Sequence, residues 1–221
     1  MERYIPILKS CNLFRALPEE TIKKVLLPHG QLREFKKGSY LISPQECLSS
    51  FGIVLQGSIH TMHIFQDGNY SIMEVLDEAE VFGADLIFTK SRISPYHAVA
   101  AEPSKLLFFP CSMLLSSGFI EESVRQQILQ KLLLLISNCN MQKEYRLAIL
   151  SQKGLRERIM TYLKMQASKR RTDSFTIPFS REEMASFLCV NRSALSHELA
   201  KMQEEGLLSF RKNSFTLPEG R

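Results

Sequence analysis

Between Ile177 and Leu217 lie the side chains best suited to meeting another molecule. Arg192, Ser193, Ser196, Ala200 and Gln203 share one side of a helical pattern, with His197 flanking them. Leu195, Leu199 and Met202 form the i, i+4, i+7 stripe that packs on a core. An Arg guanidinium can bond guanine O6 and N7 together, and a Ser hydroxyl serves either base type. A polar face that starts at a helix N-terminus therefore suits base edges in the DNA major groove. A lone amphipathic helix would better suit a solvated position in a bundle; here the flanking residues decide otherwise.

Each of those flanks has a local cause. Ser180 can N-cap a first helix, and Glu183 stands at the capping-box spacing. Met184, Ala185 and Leu188 give that helix an inward face, and Cys189 and Val190 make a turn. Asn191 N-caps the second helix and Gly206 stops it. Leu207 to Phe210 and Ser214 to Leu217 read as short strands around Arg211-Lys212-Asn213. Two capped helices, a tight turn and a hairpin make the winged helix-turn-helix. Its candidate DNA contacts are Arg192, Ser193, Ser196 and His197, joined by Ser180, Asn191, Lys201, Arg211 and Lys212.

Charge is placed accordingly. Residues 151–221 carry 13 Lys and Arg against 8 Asp and Glu, whereas residues 1–150 carry 15 of each. All of the net +5 thus sits in the last third, where it attracts a polyanion. Lys169, Arg170 and Arg171 form the densest basic run, expected in a loop ahead of the first wing strand.

At 221 residues the chain has room for two domains, and its 44% hydrophobic content permits real cores. The longest apolar run, Leu132 to Ile136, is far short of a membrane span, and no signal peptide opens the chain, so the expected location is the cytoplasm. The five cysteines (11, 47, 111, 139 and 189) include no C-x-x-C pair, which argues against a disulfide framework or a zinc ribbon.

Residues 4–27 read as helix in two pieces broken near Leu17-Pro18. Short strands follow at 31–36, 39–43, 51–57, 58–65, 70–76, 96–101 and 104–109, with Asp67-Gly68 as the strongest hairpin signal. Many short strands with regular turns imply a jelly roll or sandwich. Residues 119–149 contain no Gly or Pro and predict one helix about 45 Å long. On it, Val124, Ile128, Leu132, Leu135 and Cys139 follow the spacing of a two-helix seam, continued by Gln142, Arg146 and Ile149. A core helix packed on its own barrel is the other reading; the dimer seam is preferred because the helix outruns a barrel. Gly154 suits a hinge before a further helix, Leu155 to Ala167.

The expected fold is α+β: an N-terminal cyclic-nucleotide-binding-like β-roll, or jelly roll (1–118), a long dimerisation helix (119–150) and a C-terminal winged helix-turn-helix (151–221). In this order and length the chain resembles the cyclic-AMP receptor protein and fumarate-nitrate regulator (CRP/FNR) family. The resemblance runs from about Leu13 to Leu217 and rests on Leu55-x-Gly57, Asp67-Gly68, Val81-Phe82-Gly83 and the more specific run Val190 to Leu199. It implies a homodimeric transcription regulator, not an enzyme, that binds an inverted repeat in double-stranded DNA and meets RNA polymerase. In that likeness Arg192 stands for a guanine-contacting arginine and Ser196 for a common Ser or Gly; Ser193 and His197 replace a usual Glu and Arg, which implies a different half-site.

The sensing residues depart further. A cyclic phosphate calls for an arginine, yet the corresponding positions are Tyr96 and His97, and Arg92 comes a few residues too early. Gly83 is followed by Ala84 and Asp85 rather than Glu. Gly83, Ala84, Asp85, Tyr96 and His97 are the candidate effector pocket, for an unknown small molecule other than cyclic AMP; no cofactor or metal is identified. An iron-sulfur cluster would need an N-terminal cysteine group, where only Cys11 stands. For haem, His60, His63 and His97 are candidates that nothing selects between. A cupin-like metalloenzyme would need H-x-H, and His60 and His63 are three apart. An effector-independent regulator with a relic roll remains the alternative within the same class.

Overall fold

The computed structural model describes residues 1–68 and 70–218. Their packing divides inside one long helix, between Asn140 and Met141. The first unit lies before that point; the second lies after it and also includes Tyr70–Ile72.

The first unit opens with a 3-10 turn at Glu2–Tyr4 and helix α1, Ile5–Ser10, whose proline falls in the first turn where its missing N–H is not needed. Pro18 then starts α2, Glu19–Thr21, which runs on through a wide turn, Ile22–Leu26, and a tight one, Leu27–His29. Ion pairs Glu19–Lys23 and Glu20–Lys24 support its exposed side at i,i+4. The roll is two four-stranded sheets. One holds β1 (Gln31–Phe35), β8 (Ser104–Pro110), β3 (Ser50–Gln56) and β6 (Val81–Phe82) in that order. The other holds β2 (Tyr40–Ile42), β7 (His97–Ala100), β4 (Ile59–Ile64) and β5 (Tyr70–Leu76). Antiparallel register sets Phe51 opposite Phe109, and Phe14 meets Phe109 edge-on at 5.5 Å between centroids. Gly57 joins β3 to β4 at φ +84°, where a Cβ would meet the Ser104 hydroxyl at 2.4 Å and the Pro103 carbonyl at 2.7 Å. Only glycine fits there.

Strand β6 is absent from the expected set because two residues are too short to show alternation. After α3, Ser112–Leu115, helix α4 runs unbroken from Glu122 to Leu150. Its inward face corrects the expected dimer seam. Val124, Ile128 and Leu132 are fully buried in the roll's own hydrophobic core, and Leu135 packs half-buried on the same cluster. Cys139 is half-buried with its Sγ 3.8 Å from Glu74 Oε1. A helical stripe identifies a covered face without naming what covers it, and the roll supplies the cover. Arg146 and Ile149, expected to continue the seam, are buried in the second unit, Arg146 with its guanidinium 4.8 Å from the Phe187 ring. The large apolar residues exposed on α4 are Leu133, Leu134, Met141, Tyr145 and Leu147.

The second unit contains α5 (Leu155–Arg170), α6 (Arg181–Phe187) and α7 (Arg192–Glu204) around a small sheet ordered β10 (Ser209–Arg211), β11 (Ser214–Thr216), β9 (Ser174–Thr176). Ile159, Leu163, Met184, Leu188, Leu195, Leu199, Met202 and Phe215 build its core. Helix α5 outlasts its expected end at Ala167. Lys169 and Arg170 therefore sit in its last turn, where cations complement the helix dipole, and Arg171 caps it with φ +54°. They are not a loop cluster. Arg211 likewise belongs to a strand, leaving Lys212-Asn213 as the turn.

Burial orders the consequences of truncation along α4. Ile128→Ala should lower the stability of the roll by about 2–5 kcal/mol, whereas Leu134→Ala should change it by no more than about 0.5 kcal/mol. Urea unfolding of each variant, followed at low protein concentration, checks this; equal losses would overturn the assignment of the two faces.

Candidate nucleic-acid interface

Local hydrogen bonds set both helices of the motif. The Ser180 hydroxyl accepts from the Glu183 amide at 3.2 Å, and the Glu183 carboxylate accepts from the Ser180 amide at 2.7 Å, closing a full capping box. The chain turns at Cys189, which takes the left-handed region at φ +56°. The Val190 amide then donates to the Ala185 carbonyl at 3.0 Å. Asn191 Oδ1 accepts from the Ala194 amide at 2.8 Å and from the Ser193 hydroxyl at 3.0 Å. Ser180 and Asn191 are thus committed as caps, and they shape the interface by fixing helix starts.

Helix α7 is sharply two-faced. Leu195, Leu199 and Met202 are fully buried, while Arg192, Ser193, Ser196, His197 and Lys201 are exposed. Arg211 and Lys212 are exposed on the wing. Gln203 is drawn away from the polar face, since its Oε1 accepts from the Phe210 amide at 2.9 Å and ties helix to wing. Arg192 makes one loose exposed contact, 3.9 Å to Glu182, and such a pair contributes little against solvent.

Two arginines that spacing does not reveal hold this face in place. Arg156 of α5 donates from Nε to Glu198 at 2.7 Å and from Nη1 and Nη2 to Glu205 at 2.6 and 3.0 Å. Its partners lie 42 and 49 residues away, so no local pattern marks it. The hydrogen bonds to both carboxylates raise its pKa, and they lower that of Glu205. Arg181 begins α6, donates to the Lys212 carbonyl at 2.9 Å and lies 4.9 Å from the Phe210 ring. Burial, then the positive charge of Arg192, pulls the Arg181 pKa down. An arginine lying over aromatic rings could have been sought from Phe210 and Phe215; an arginine bridging two distant glutamates could not.

In the roll, the structure brings Asp85 and Tyr96 together. The Tyr96 hydroxyl donates to Asp85 Oδ1 at 2.8 Å. Burial pushes that hydroxyl's pKa up, and the charges of Asp85 and Glu74 push it further. His97, the next residue, faces the ring of Tyr40 at 5.3 Å, and its buried Nδ1 has no hydrogen-bond partner among the described residues. Ala84 is buried, and Gly83 turns at φ +81° with the Leu48 side chain 2.9 Å from where a Cβ would stand. His60 and His63 lie on β4, where alternation sets them on opposite faces. Among the described residues no group of three His, Cys, Asp or Glu side chains could hold a metal ion, and no helix is long and apolar enough to cross a membrane.

Known proteins match both units. Residues 32–116 fit the cyclic nucleotide-binding domain family, and residues 157–219 fit the Crp-like helix-turn-helix domain family. The chain belongs to the CRP/FNR family of transcriptional regulators. It is 24% identical over 181 residues to transcriptional activator protein FnrA of Stutzerimonas stutzeri, covering 80% of this chain and 72% of that one. Electron transport regulator A of Shewanella oneidensis is likewise 24% identical over 181 residues, covering 80% of this chain and 70% of its own. The fold is similar to that of the c-di-GMP-responsive global regulator CLP of Xanthomonas campestris, with a TM-score of 0.69 at 17% identity over 92% of this chain and 100% of that one. In this CRP/FNR regulator the helix-turn-helix match takes in the Arg156-anchored helices and the wing, and helix-turn-helix proteins of this kind bind DNA. The cyclic nucleotide-binding match covers the roll, in which Tyr96 and His97 occupy the positions where the resemblance implies an arginine.

The lowered pKa of Glu205 has a signed consequence. Its pair with Arg156 contributes stability fully above the ordinary carboxylate value of 4.5 and loses it as pH falls through the depressed folded value. Melting temperatures measured from neutral pH downward should therefore fall more steeply for the natural chain than for Arg156→Gln. Parallel curves would contradict the role given to Arg156.

Proposed function

We propose that this regulator acts as a homodimer that reads an inverted repeat in double-stranded DNA, inserting one α7 per half-site. The observation that carries this reading is the exposed, capped polar edge of α7 (Arg192, Ser193, Ser196, His197 and Lys201) above a fully buried apolar stripe. Arg192 and Ser196 are the base readers, His197 and Ser193 tune the half-site, and Lys201, Arg211 and Lys212 meet phosphates. Half-sites then lie about one helical turn apart, roughly 34 Å.

The dimer forms through the outward face of α4. Leu134, Met141 and Ala148 recur at seven-residue steps, with Leu133 and Tyr145 beside them, the spacing of a coiled-coil seam. Leu133 is 67% and Leu134 58% exposed, large apolar areas for a helix of an isolated chain. Effector control follows from a ligand with unequal affinity for two arrangements of the paired helices, and RNA polymerase is the downstream partner.

The effector is a small molecule other than cyclic AMP. Asp85 and Glu74 place negative charge around Tyr96, which opposes an anionic cyclic phosphate and favours a ligand that donates hydrogen bonds or carries positive charge.

Two measurements test this. Arg192→Ala should weaken specific binding by about 1–3 kcal/mol and relax preference at one base pair; an equal loss on all sequences would reduce Arg192 to a phosphate contact. Leu134→Glu should convert a dimer to a monomer in analytical ultracentrifugation without loss of helical circular dichroism; an unchanged dimer would place the interface elsewhere.

A further inference from the structure

Away from both sites, two cysteines and an arginine of the first unit converge at the edge of the roll. Cys47 precedes β3, is exposed, and forms a single antiparallel bridge with Ile93. Cys111 follows β8 and is fully buried. The register that sets Ser50 opposite Pro110 continues one step further, since the Cys111 amide donates to the Ser49 carbonyl at 3.0 Å. Cys111 therefore stands opposite Ser49, and Cys47, two residues earlier, is its diagonal neighbour on the same face. The two thiols confirm this placement: each Sγ lies 4.0 Å from the same oxygen, the Leu48 carbonyl. Cys47 Sγ is also 3.7 Å from the Ser91 carbonyl.

The next residue after Ser91 is Arg92. It sits in the left-handed region at φ +53°, uncommon for a residue with a side chain, and its carbonyl accepts from the Leu48 amide at 2.8 Å. Burial raises the Cys111 pKa, and the charge and hydrogen bond of Arg92 oppose that rise. The set thus combines an accessible thiol, a shielded thiol and a cation beside the shielded one, arranged around one carbonyl.

We propose that Cys47 and Cys111 are a hydroperoxide-reactive dithiol that closes to an intramolecular disulfide, with Arg92 steadying the Cys111 thiolate as it attacks. In the first step Cys47, as thiolate, attacks the outer peroxide oxygen. An S–O bond forms, the O–O bond breaks, and the leaving hydroxide or alkoxide takes up a proton. Cys47 is then a sulfenic acid, oxidised by two electrons as the peroxide is reduced. In the second step Cys111 gives up its proton and attacks the Cys47 sulfur. The S–S bond forms, the S–O bond breaks, and the departing hydroxide leaves as water with that proton. A disulfide needs its two Cα atoms within about 7 Å, and diagonal neighbours on paired strands stand roughly 7–8 Å apart. Leu48 lies between the two cysteines and packs against the Gly83 turn, so closure bears on the segment that leads to Asp85.

Full-length protein treated with hydrogen peroxide, alkylated and mapped without reduction tests the proposal. The expected product is a linked Cys47–Cys111 peptide, lighter by two hydrogens and released by dithiothreitol. In Cys47→Ser, Cys111 should remain open to alkylation after unfolding; in Cys111→Ser, Cys47 should persist as a sulfenic acid trapped by dimedone. Arg92→Gln should prolong that sulfenic acid in the otherwise natural chain. Oxidation of Cys47 with Cys111 still alkylatable, or a link joining Cys47 of two chains, would overturn it.

Discussion

Leu195, Leu199 and Met202 occupy one stripe of α7 and are fully withdrawn from water. Burial of that stripe against α5, α6 and the wing stabilises the unit by roughly 1.5–3 kcal/mol per side chain. Because the three positions fix the rotation of the helix, they also fix what faces outward. Arg192, Ser193, Ser196, His197 and Lys201 are presented as a set, on a scaffold with little freedom to turn. The caps at Ser180 and Asn191 and the Arg156 bridge act on the same constraint, setting where each helix starts and how α7 is held along its length.

The roll obeys a different logic. Its core is continuous with the first half of α4, so the helix that leaves the roll is itself part of the roll's interior. Any change in the roll's packing therefore reaches α4 through Val124, Ile128 and Leu132 directly. The excess positive charge lies in the C-terminal third, whereas Asp85 and Glu74 act on Tyr96 in the roll.

How much of this was legible in sequence depended on the range of the causes. Caps act over three residues, so Ser180, Glu183, Asn191 and Gly206 marked α6 and α7 to within a residue. The roll's longer strands showed through alternation and turn residues. What failed was settled at a distance. Strand β9 is three residues held by pairing with β11, some forty positions on, and β6 exists only beside β3. The face of α4 was misjudged because Leu132 to Ile136 is apolar nearly all round, and a periodic stripe does not say whether a roll or a second helix covers it. Arg156 was invisible because a lone arginine becomes a bridge only when folding delivers Glu198 and Glu205.

The central claim is that α7 is a reading head delivered in pairs. Selection of binding sites by the purified full-length chain from a pool of random double-stranded DNA, at low and then moderate salt, tests it most directly. An enriched inverted repeat with half-site centres about 10 base pairs apart is the predicted result. A pool that stays unenriched at low salt, or that yields a single unrepeated element, would contradict it.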